Sequence, residues 1–552
     1  MSKWKILHQI KNQKLKIKNG EIIKALLDNR GIKTEKEIGE FLNPKVENVT
    51  IDSVGIDKKQ LKKSITRIEL AIKNKEKIVI YGDYDVDGIS GTAILWETLN
   101  LLGAKVMPYI PHRIGEGYGL SIRGIENIKN QKSNLKDTGL IITVDNGIVA
   151  NKAVDFANEQ DIDVIVTDHH IPAKKLPNAL AIVHTTKLCG TGVAWMLAQE
   201  FKKNENHLEL VALATVADLV PLKGANRTLL KFGLEALRKT KRVGLLELFK
   251  EAAIDQSKIG VYEIGHMIAP RLNATGRLDY AMDSLRLICT NNLKRAEKLS
   301  KEIGLTNKER QLLTINTAQH AIDSVKNKKE LKKLLFVVHE SYQQGVIGLV
   351  AGKLVEEFYR PAIVISKGKK YSKASARSVR GFDIIEFIRT VSEFLVDAGG
   401  HPMAAGFTVE TAKIPMLEKA LRNRVGNLLD GDILERKLKI DCELPLSFID
   451  INLHEALQKL SPFGMGNPEP VFISKNVIIE DMRLVGIEEK HLKLVVSSQK
   501  LDVKFDAIAF SMGDRINELH IGNKISIVYT IEKDEWNGNE RLQLKIKDMI
   551  KL

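Results

Sequence analysis

Short runs of apolar, β-branched residues alternate with helical periods from Ser64 onward, and this pattern constrains the fold more than any other feature of the chain. Four runs have this character: 77–81, 105–110, 140–144 and 163–167. Helical stretches such as 92–102 and 150–160 separate them. Nearly continuous apolar strands between helices are typical of a parallel sheet that is covered on both faces. We therefore predict an α/β lobe over residues 55–228.

Two further segments flank this lobe, as expected for a chain of 552 residues, which is several times the usual size of one domain. Residues 1–54 are polar and rich in lysine, and we interpret them as an accessory segment. Residues 229–328 are almost wholly helical and would connect two lobes. Within that connector, residues 292–325 could form one long helix or two helices joined near Gly304.

The remaining residues predict a second lobe and a barrel. Residues 329–427 contain strand patterns at 333–338 and 361–365 with a helix at 348–358 between them, which indicates a smaller α/β unit. Short strands then follow one another over residues 437–552. Such a series at the end of a chain suggests a small β-barrel such as an OB-fold.

Composition narrows the class of protein without deciding it. The formal net charge of +15 favours a polyanionic partner, although basic proteins without a nucleic-acid role are common. Cys189, Cys289 and Cys442 form no CxxC pair, so neither a zinc knuckle nor a disulfide framework is indicated. We find no apolar run that could cross a bilayer and no signal-peptide core. These features predict a cytoplasmic protein with no membrane partner.

Acids and histidines lie directly beyond the ends of the predicted strands, where open α/β sheets gather their ligands. They occur in four segments: 81–88, 144–147, 167–170 and 216–221. The first supplies Asp83, Asp85 and Asp87, while Gly88 and Gly91 would permit a tight turn into the next helix. Carboxylates packed together repel one another unless cations neutralise them. Oxygen ligands with one or two imidazoles suit Mn²⁺ or Mg²⁺, and a pair of such ions can hydrolyse a phosphoester.

A structural role competes with this interpretation at each segment. A lone aspartate after a strand is most often a helix cap or a turn residue, and Asp145-Asn146-Gly147 could be a simple turn. Three consecutive polar residues, Asp168-His169-His170, are harder to assign to a core. The four segments together favour a catalytic site.

The four segments, in this order, resemble the DHH phosphoesterase family, which is named for the triplet at 168–170. Later segments resemble the RecJ branch of that family: 270–277, 345–348, 375–378, 399–406 and 461–468. The resemblance extends from about residue 51 to the C-terminus. It implies a parallel-sheet DHH lobe, a helical connector, a smaller α/β DHHA1 lobe and a C-terminal OB-fold barrel, without a further partner-binding domain.

The resemblance also implies a set of metal ligands. Five residues would coordinate two Mn²⁺ or Mg²⁺ ions: Asp83, Asp85, Asp145, His169 and Asp218. Asp145 would bridge the ions, and His170 would contact the scissile phosphate. Asp87 would belong to the catalytic group with His170 and Asp145. For Asp87 and Asp168 two roles stay open, direct contact with a metal ion or orientation of the residues that contact it.

Substrate contacts are implied in the same way. Arg113, Ser375 and Arg377 match the residues that bind a 5′ phosphate. Six others match positions that contact the DNA strand: Arg271, Asn273, Arg277, Gly399, Gly400 and His401. In the barrel, basic and aromatic side chains would hold the DNA strand by charge and stacking: Lys490, Lys493, Lys545, Phe505 and Trp536. Aromatic residues of barrels are, however, usually part of the core.

The resemblance implies an enzyme that hydrolyses single-stranded DNA in the 5′-to-3′ direction and releases nucleoside 5′-monophosphates, in DNA repair and recombination. It also implies that the enzyme is a monomer and that a helicase and a single-strand-binding protein supply its substrate.

Two alternatives stay open: a phosphoesterase of short oligonucleotides or other small nucleotides, and a non-enzymatic scaffold. The segment 183–188 is shorter than the family pattern, and Tyr342 stands where a tryptophan is common.

Overall fold

The computed structural model describes residues 3–8, 19–113, 115–130, 138–201, 207–426, 428–498, 501–534 and 541–552. The chain divides into two compact units. The first unit comprises residues 1–45, 221–227 and 436–552, and the second comprises residues 46–220 and 228–435. Among the described residues, no helix combines the length and the apolar character needed to span a bilayer.

The described residues of the N-terminal segment form β1 (Lys3–His8), α1 (Asn19–Asn29), α2 (Glu35–Leu42), a short 3-10 turn (Val46–Asn48) and α3 (Ile51–Val54). A capping box between Thr34 and Glu37 starts α2. Strand β1 was not predicted from the sequence, because the run is only six residues long and none of its residues is buried.

The first lobe of the second unit alternates strands and helices: α4 (Lys58–Lys73), β2 (Lys77–Gly82), α5 (Val86–Leu101), β3 (Lys105–Tyr109), α6 (Ile122–Asn130), β4 (Thr138–Val144), α7 (Asn151–Glu159), β5 (Asp163–Asp168), β6 (Ala181–His184), α8 (Gly190–Gln199) and α9 (Leu208–Ala217). The five strands form a parallel sheet in the order β3-β2-β4-β5-β6. The central strands β2, β4 and β5 are almost entirely buried, which confirms the predicted parallel sheet.

Helices connect the lobes: α10 (Gly224–Arg238), α11 (Val243–Glu251), α12 (Val261–Glu263), α13 (Ala269–Leu278), α14 (Met282–Cys289) and α15 (Leu293–Lys326). A π-helical turn, Ile264–Ile268, joins α12 to α13. Residues 293–326 form one helix of 34 residues, so the first of the two alternatives is correct. Gly304 does not break it, and a Cβ there would lie 2.2 Å from Glu251 Oε1.

The second lobe contains a mixed sheet and three helices: β7 (Leu335–His339), α16 (Ile347–Phe358), β8 (Ala362–Ser366), β9 (Tyr371–Arg377), α17 (Ile384–Arg389), β10 (Leu395–His401), β11 (Ala404–Glu410) and α18 (Ile414–Val425). The strand order is β10-β11-β9-β8-β7, and only β7 and β8 are parallel. The sequence predicted β7, α16 and β8. Strand β9 was missed because its buried residues are small rather than β-branched.

The C-terminal part of the first unit is mainly β: β12 (Lys437–Glu443), α19 (Ile451–Gln458), β13 (Phe472–Val485), β14 (His491–Ser498), β15 (Leu501–Ala509), β16 (Lys524–Asp534) and β17 (Arg541–Lys551). Strand β13 pairs with both β14 and β16, which closes a five-stranded barrel as predicted. Strand β1 pairs in parallel with β12. Phe505 packs against the barrel core, and Trp536 lies outside the described residues.

Candidate active site

The carboxyl ends of three adjacent strands bring the predicted metal ligands together. Asp83 and Asp85 follow β2, Asp145 follows β4, and His169 follows β5. The fifth predicted ligand, Asp218, is the C-cap of α9. Donor atoms lie within 4.8 Å of one another in each of three groups: Asp83 with Asp85 and Asp145; Asp87 with His169 and Asp218; and Asp145 with His169 and His170. Three strand ends and the C-terminal end of α9 therefore form one acidic pocket, and the expectation that Asp218 follows a strand was wrong.

The N-terminus of α5 holds Asp85 in place. The Asp85 carboxylate accepts hydrogen bonds from the backbone N–H groups of Asp87 (2.9 Å) and Gly88 (3.2 Å). Gly88 lies within the helix and not in a turn, contrary to the expectation from the sequence. A Cβ at Gly88 would lie 2.5 Å from the backbone nitrogen of Asp83, so the absent side chain lets the helix approach the strand end.

Asp145 has a left-handed backbone conformation, with φ of 63°. Its N–H donates to Thr167 O at 3.0 Å, and the Asn146 side chain donates to Val144 O at 2.8 Å. A Cβ at Gly190 would lie 2.6 Å from the Asp145 Cβ. The segment is thus a turn at the end of β4, and the neighbouring strand holds Asp145 in a conformation that is rarely populated.

Three buried donor atoms in the pocket have no hydrogen-bond partner among the residues that the structure describes: Asp83 Oδ1, Asp145 Oδ1 and His169 Nε2. Asp145 Oδ1 and His169 Nε2 are only 3.1 Å apart, and Asp218 Oδ2 lies 3.6 Å from His169 Nε2. Buried polar atoms are normally paired. These atoms are the kind of oxygen and imidazole donors that Mn²⁺ and Mg²⁺ accept, so the residues present fit such ions.

The shifted pKa values of the pocket residues also indicate a site for cations. Burial, followed by the charges of neighbouring carboxylates, raises the pKa of Asp83 and of Asp145 well above the usual range. The same causes raise the pKa of Asp218 to about 8. Burial lowers the pKa of His169, which keeps its imidazole neutral, as a metal ligand must be. The pocket therefore carries more potential negative charge than it can hold without cations.

His170 is held as a cation beside the pocket. Its Nδ1 lies 2.8 Å from Asp168 Oδ1, and that carboxylate also accepts from the backbone N–H groups of His169 and Ile148. Burial, the largest single effect, opposes the charge on His170, but the hydrogen bond to Asp168 and the charges of Asp168, Asp218 and Asp83 together outweigh burial and raise the pKa of His170 to about 9. Asp168 thus orients and charges His170, which is one of the two roles that the sequence left open.

Tyr118 also contacts His170, a contact that was not predicted from the sequence. The Tyr118 hydroxyl lies 3.2 Å from His170 Nε2 and 3.4 Å from Asp145 O. The His401 ring of the second lobe stacks on His170 with ring centroids 5.6 Å apart. Tyr118 stands in the same loop as Arg113, but only the fold shows that its hydroxyl reaches a histidine 52 residues away.

Asp87 is committed to backbone hydrogen bonds. Its two carboxylate oxygens accept from the N–H groups of Gly190 (2.7 Å) and Thr191 (2.6 Å), which begin α8. Its Oδ2 also lies 3.7 Å from His169 Nε2. Asp87 therefore ties α5 to α8 and stands directly behind the His169 ring.

The N-terminus of α16 meets Ser375 and Arg377 in the second lobe. Arg377 Nη1 donates to Ser375 Oγ at 3.2 Å and to Ala376 O at 2.8 Å. A Cβ at Gly348, in the first turn of α16, would lie 2.9 Å from Arg377 Nη2 and 3.0 Å from Ser375 Oγ. A helix N-terminus beside a guanidinium and a hydroxyl is a suitable site for a phosphate.

Two more arginines extend this positive region. Burial and the nearby charges of Arg113, Arg310 and Arg377 lower the pKa of Arg277 to about 10. Burial and Arg113 likewise lower the pKa of Arg377. Arg113 lies over the Tyr84 ring, with its Cζ 5.0 Å from the centroid. Within the described ranges, no carboxylate forms an ion pair with Arg113, Arg277 or Arg377, so the positive charge of this cluster is not neutralised by carboxylates of the chain.

Arg271, Asn273, Gly399 and Gly400, which the family resemblance assigned to DNA contacts, lie outside the arginine cluster. Arg271 pairs with Glu251 at 2.7 Å. Asn273 Oδ1 accepts from the backbone N–H of Val86 at the start of α5. Gly400 has φ of 145°, and a Cβ there would lie 2.4 Å from Ala404 O, whereas a Cβ at Gly399 would have no atom within 4 Å. Gly399 thus leaves its backbone accessible, while Arg271 and Asn273 make bonds that hold helices together.

Three family profiles match the chain: the DHH family, N-terminal domain, at residues 77–220; the DHHA1 domain at residues 331–427; and the RecJ OB domain at residues 440–548. The first range contains the acidic pocket, and the second contains Ser375, Arg377 and the 399–401 segment.

Named relatives cover nearly the whole chain. The single-stranded-DNA-specific exonuclease RecJ of Bacillus subtilis (strain 168) is 37% identical over 540 residues, which are 96% of this chain and 67% of that protein. The crystal structure of RecJ in complex with Mn²⁺ from Thermus thermophilus superposes with a TM-score of 0.82 at 27% identity, covering 100% of this chain and 80% of that one. The corresponding Mg²⁺ complex gives a TM-score of 0.76 at 25% identity, with coverage of 99% and 78%. This chain belongs to the RecJ family.

Proposed function

We propose that this chain is a metal-dependent exonuclease that removes nucleotides from the 5′ end of single-stranded DNA. The observation that carries this proposal is the pocket of buried, unpartnered carboxylate and imidazole atoms beside an arginine cluster that lacks carboxylate partners within the described part of the chain. The Bacillus subtilis relative is named for activity on single-stranded DNA, and the Thermus thermophilus relative binds Mn²⁺ or Mg²⁺.

Five residues would hold two divalent cations: Asp83, Asp85, Asp145, His169 and Asp218. Such ions, when bound, supply an activated water and a positive charge against the phosphate oxygens. The contribution of the chain is to fix the ligands before binding. Asp85 is held by the α5 N-terminus and Asp145 by its strand-end turn, so little ordering is required when the cations bind.

His170 would contact the scissile phosphate as a cation. Asp168 holds its Nδ1, which leaves Nε2 beside the Tyr118 hydroxyl. A hydrogen bond from a charged imidazole to a phosphate oxygen becomes stronger as negative charge develops on that oxygen. Asp87, with both oxygens bonded to α8, would act as a positioning residue behind His169 and not as a group that touches substrate.

The arginine cluster would select the 5′ end. Arg113, Ser375 and Arg377 would bind the terminal phosphate, with Arg277 beside them. A fixed terminal phosphate places the next phosphodiester at a set distance from the acidic pocket, and hydrolysis then repeats from that end. The open backbone at Gly399 and the ring of His401 would contact the following nucleotide. Arg271 and Asn273 would support this surface through Glu251 and Val86.

The substrate would be a long single strand made available by a helicase and a single-strand-binding protein. The alternative is a phosphoesterase of short oligonucleotides. The barrel at 440–548 favours a polymer, because a small barrel with basic residues can hold a trailing strand. Comparing hydrolysis of a long strand with that of a dinucleotide distinguishes the two functions.

The direct test follows a strand labelled at each end in turn, with Mn²⁺ or with chelator. We expect the 5′ label to be released first as a mononucleotide, only with the metal, and not by the Asp145→Asn variant. Asp155→Asn is the matched control, because Asp155 is an exposed acid on α7 of the same lobe. Release of the 3′ label first, or activity that survives Asp145→Asn, would reject the proposal.

A further inference from the structure

A groove of about 440 Å³ lies beside α4 at the amino ends of the strands in the first lobe. Leu180, which lines it, directly precedes β6. Arg67, another lining residue, bonds to Asp163 at the start of β5 and to Gly139 O near the start of β4. The acidic pocket is at the carboxyl ends of the same strands. The groove is therefore at the opposite edge of the sheet from the candidate active site.

One face of α4 supplies positive charge to this groove. Lys59, Lys62 and Lys63 line it and are exposed. Within the described ranges, no carboxylate forms an ion pair with any of the three. Arg67 forms ion pairs with Asp163 and Glu76, each at 2.6 Å, so its side chain is held in place at the side of the groove. Residues three, four, seven or eight apart share a helix face, so these side chains form one continuous basic stripe.

The groove also has an apolar part. Leu70, at the end of the same stripe, is 46% exposed, and Leu180 opposite is half-buried. The aliphatic stems of the lysines add further apolar surface while their ammonium groups stay in water. Among the residues that the structure describes, no aromatic side chain lines the groove. A nucleic-acid strand is therefore a poor match, because binding without stacking on aromatic rings leaves only charge to hold it.

We infer that this groove docks an acidic peptide segment of a partner protein, one that carries an apolar side chain next to its carboxylates. The lysines would pair with the carboxylates, and Leu70 and Leu180 would cover the apolar side chain. Association of this kind is steered by charge and weakens as salt rises. The groove does not contribute to hydrolysis, so loss of docking and loss of nuclease activity are separable.

Fluorescence anisotropy with the full chain tests this inference. The probe is a labelled octapeptide of six glutamates followed by two leucines, and the comparison peptide carries two serines in place of the leucines. We expect the triple variant Lys59→Glu, Lys62→Glu, Lys63→Glu to bind the leucine peptide at least about tenfold more weakly than the unaltered chain. Leu70→Ser should reduce binding of the leucine peptide alone. Both variants should hydrolyse DNA at the unaltered rate.

The matched control reverses three exposed lysines of the β8–β9 turn: Lys367→Glu, Lys369→Glu and Lys370→Glu. They lie at the opposite end of β9 from Arg377. Binding that falls equally in this control, or is unchanged in the α4 variant, overturns the inference. Binding of labelled oligothymidylate in chelator that falls in the α4 variant, but not in the β8–β9 control, would also overturn it in favour of a nucleic-acid track. Should the triple variant fail to fold, Leu70→Ser decides.

Discussion

Asp145 occupies the most constrained position in the candidate active site. Its backbone is left-handed, its Oδ1 is buried without a hydrogen-bond partner among the described residues, and burial with the nearby acids raises its pKa. A residue placed in this way destabilises the cation-free chain and gains stability when cations bind. Such a trade of stability for function is common at active sites.

Asp145→Asn should therefore have opposite effects on stability and on metal binding. Asparagine tolerates a left-handed backbone and removes one charge from the pocket, so in chelator the variant should unfold at a higher temperature, by an amount equivalent to about 1 kcal/mol. Mn²⁺ should then raise its melting temperature much less than that of the unaltered chain. Thermal unfolding with and without Mn²⁺ measures both effects. A variant that is less stable in chelator would contradict this account.

The sequence indicated the acids and histidines because their order along the chain and their place after strands are local features. It did not indicate Tyr118, nor the bonds that commit Asp87 and Asn273 to helix termini. Those contacts join residues that are 52, 104 and 187 positions apart. They depend on how the strand-end loops pack against one another, which no local pattern encodes.

Helix ends are the elements that build this site. The N-terminus of α5 holds Asp85, the N-terminus of α8 receives Asp87, and the N-terminus of α16 meets Arg377. Partial positive charge at helix N-termini favours carboxylates and phosphates. The sequence predicted α5 to begin near residue 92, whereas it begins at Val86. The glycines of its first turns weaken the apolar signal, although they allow the close approach to Asp83.

Asp87→Ala should destabilise the chain whether or not metal is present. Loss of this carboxylate leaves the N–H groups of Gly190 and Thr191 unpaired in a buried place, which should lower the free energy of unfolding by about 2–4 kcal/mol. Denaturant unfolding in chelator and in Mn²⁺ should show similar losses. A loss seen only with Mn²⁺ would instead assign Asp87 to the metal.

A buried ionic group joins α5, α9 and α11 behind the site. Glu97 accepts from Arg242 through both oxygens, at 2.7 and 2.8 Å, and from His207 at 2.9 Å. Burial alone would raise the pKa of Glu97, but the bonds to Arg242 and His207 outweigh it and lower the pKa to about 2. A depressed carboxyl pKa stabilises the fold above the unfolded-state value of about 4.5, and this stability is lost as pH falls toward 2.

Glu97→Gln should accordingly destabilise the chain at neutral pH, by about 2–3 kcal/mol, and should have less effect as the pH approaches 2. Thermal unfolding of both proteins across the acid range measures the difference. Glu200→Gln offers a comparison on the same lobe. If the difference grows on acidification, the assignment of the stabilising interaction to ionised Glu97 is wrong.

At the scale of the second unit, the two lobes complete one surface. The His401 ring stacks on His170, and the charges of Arg113 and Arg277 reach Arg377 of the other lobe. The sequence predicted both lobes and the barrel, because each has its own strand and helix periods. It identified the partners across the lobes only through resemblance to a family, since no spacing predicts which loops of two lobes meet.

Arg377→Ala should weaken recognition of the 5′ end in particular. We expect kcat/KM on a 5′-phosphorylated strand to fall by about 100-fold, since one charged contact to phosphate contributes about 2–3 kcal/mol, with a much smaller fall on a strand that ends in a 5′ hydroxyl. Arg380→Ala is the control, because Arg380 is exposed three residues along the chain. Equal losses on both strands would show that Arg377 does not bind the terminal phosphate.

The most direct test of the central claim is a crystal of the chain grown with Mn²⁺ and measured at the manganese absorption edge. We expect two anomalous peaks in the acidic pocket, bounded by Asp83, Asp85, Asp145, His169 and Asp218. The same crystal of the Asp145→Asn variant should show weaker peaks or none. A pocket without manganese, or with these side chains turned away from the peaks, would contradict the central claim.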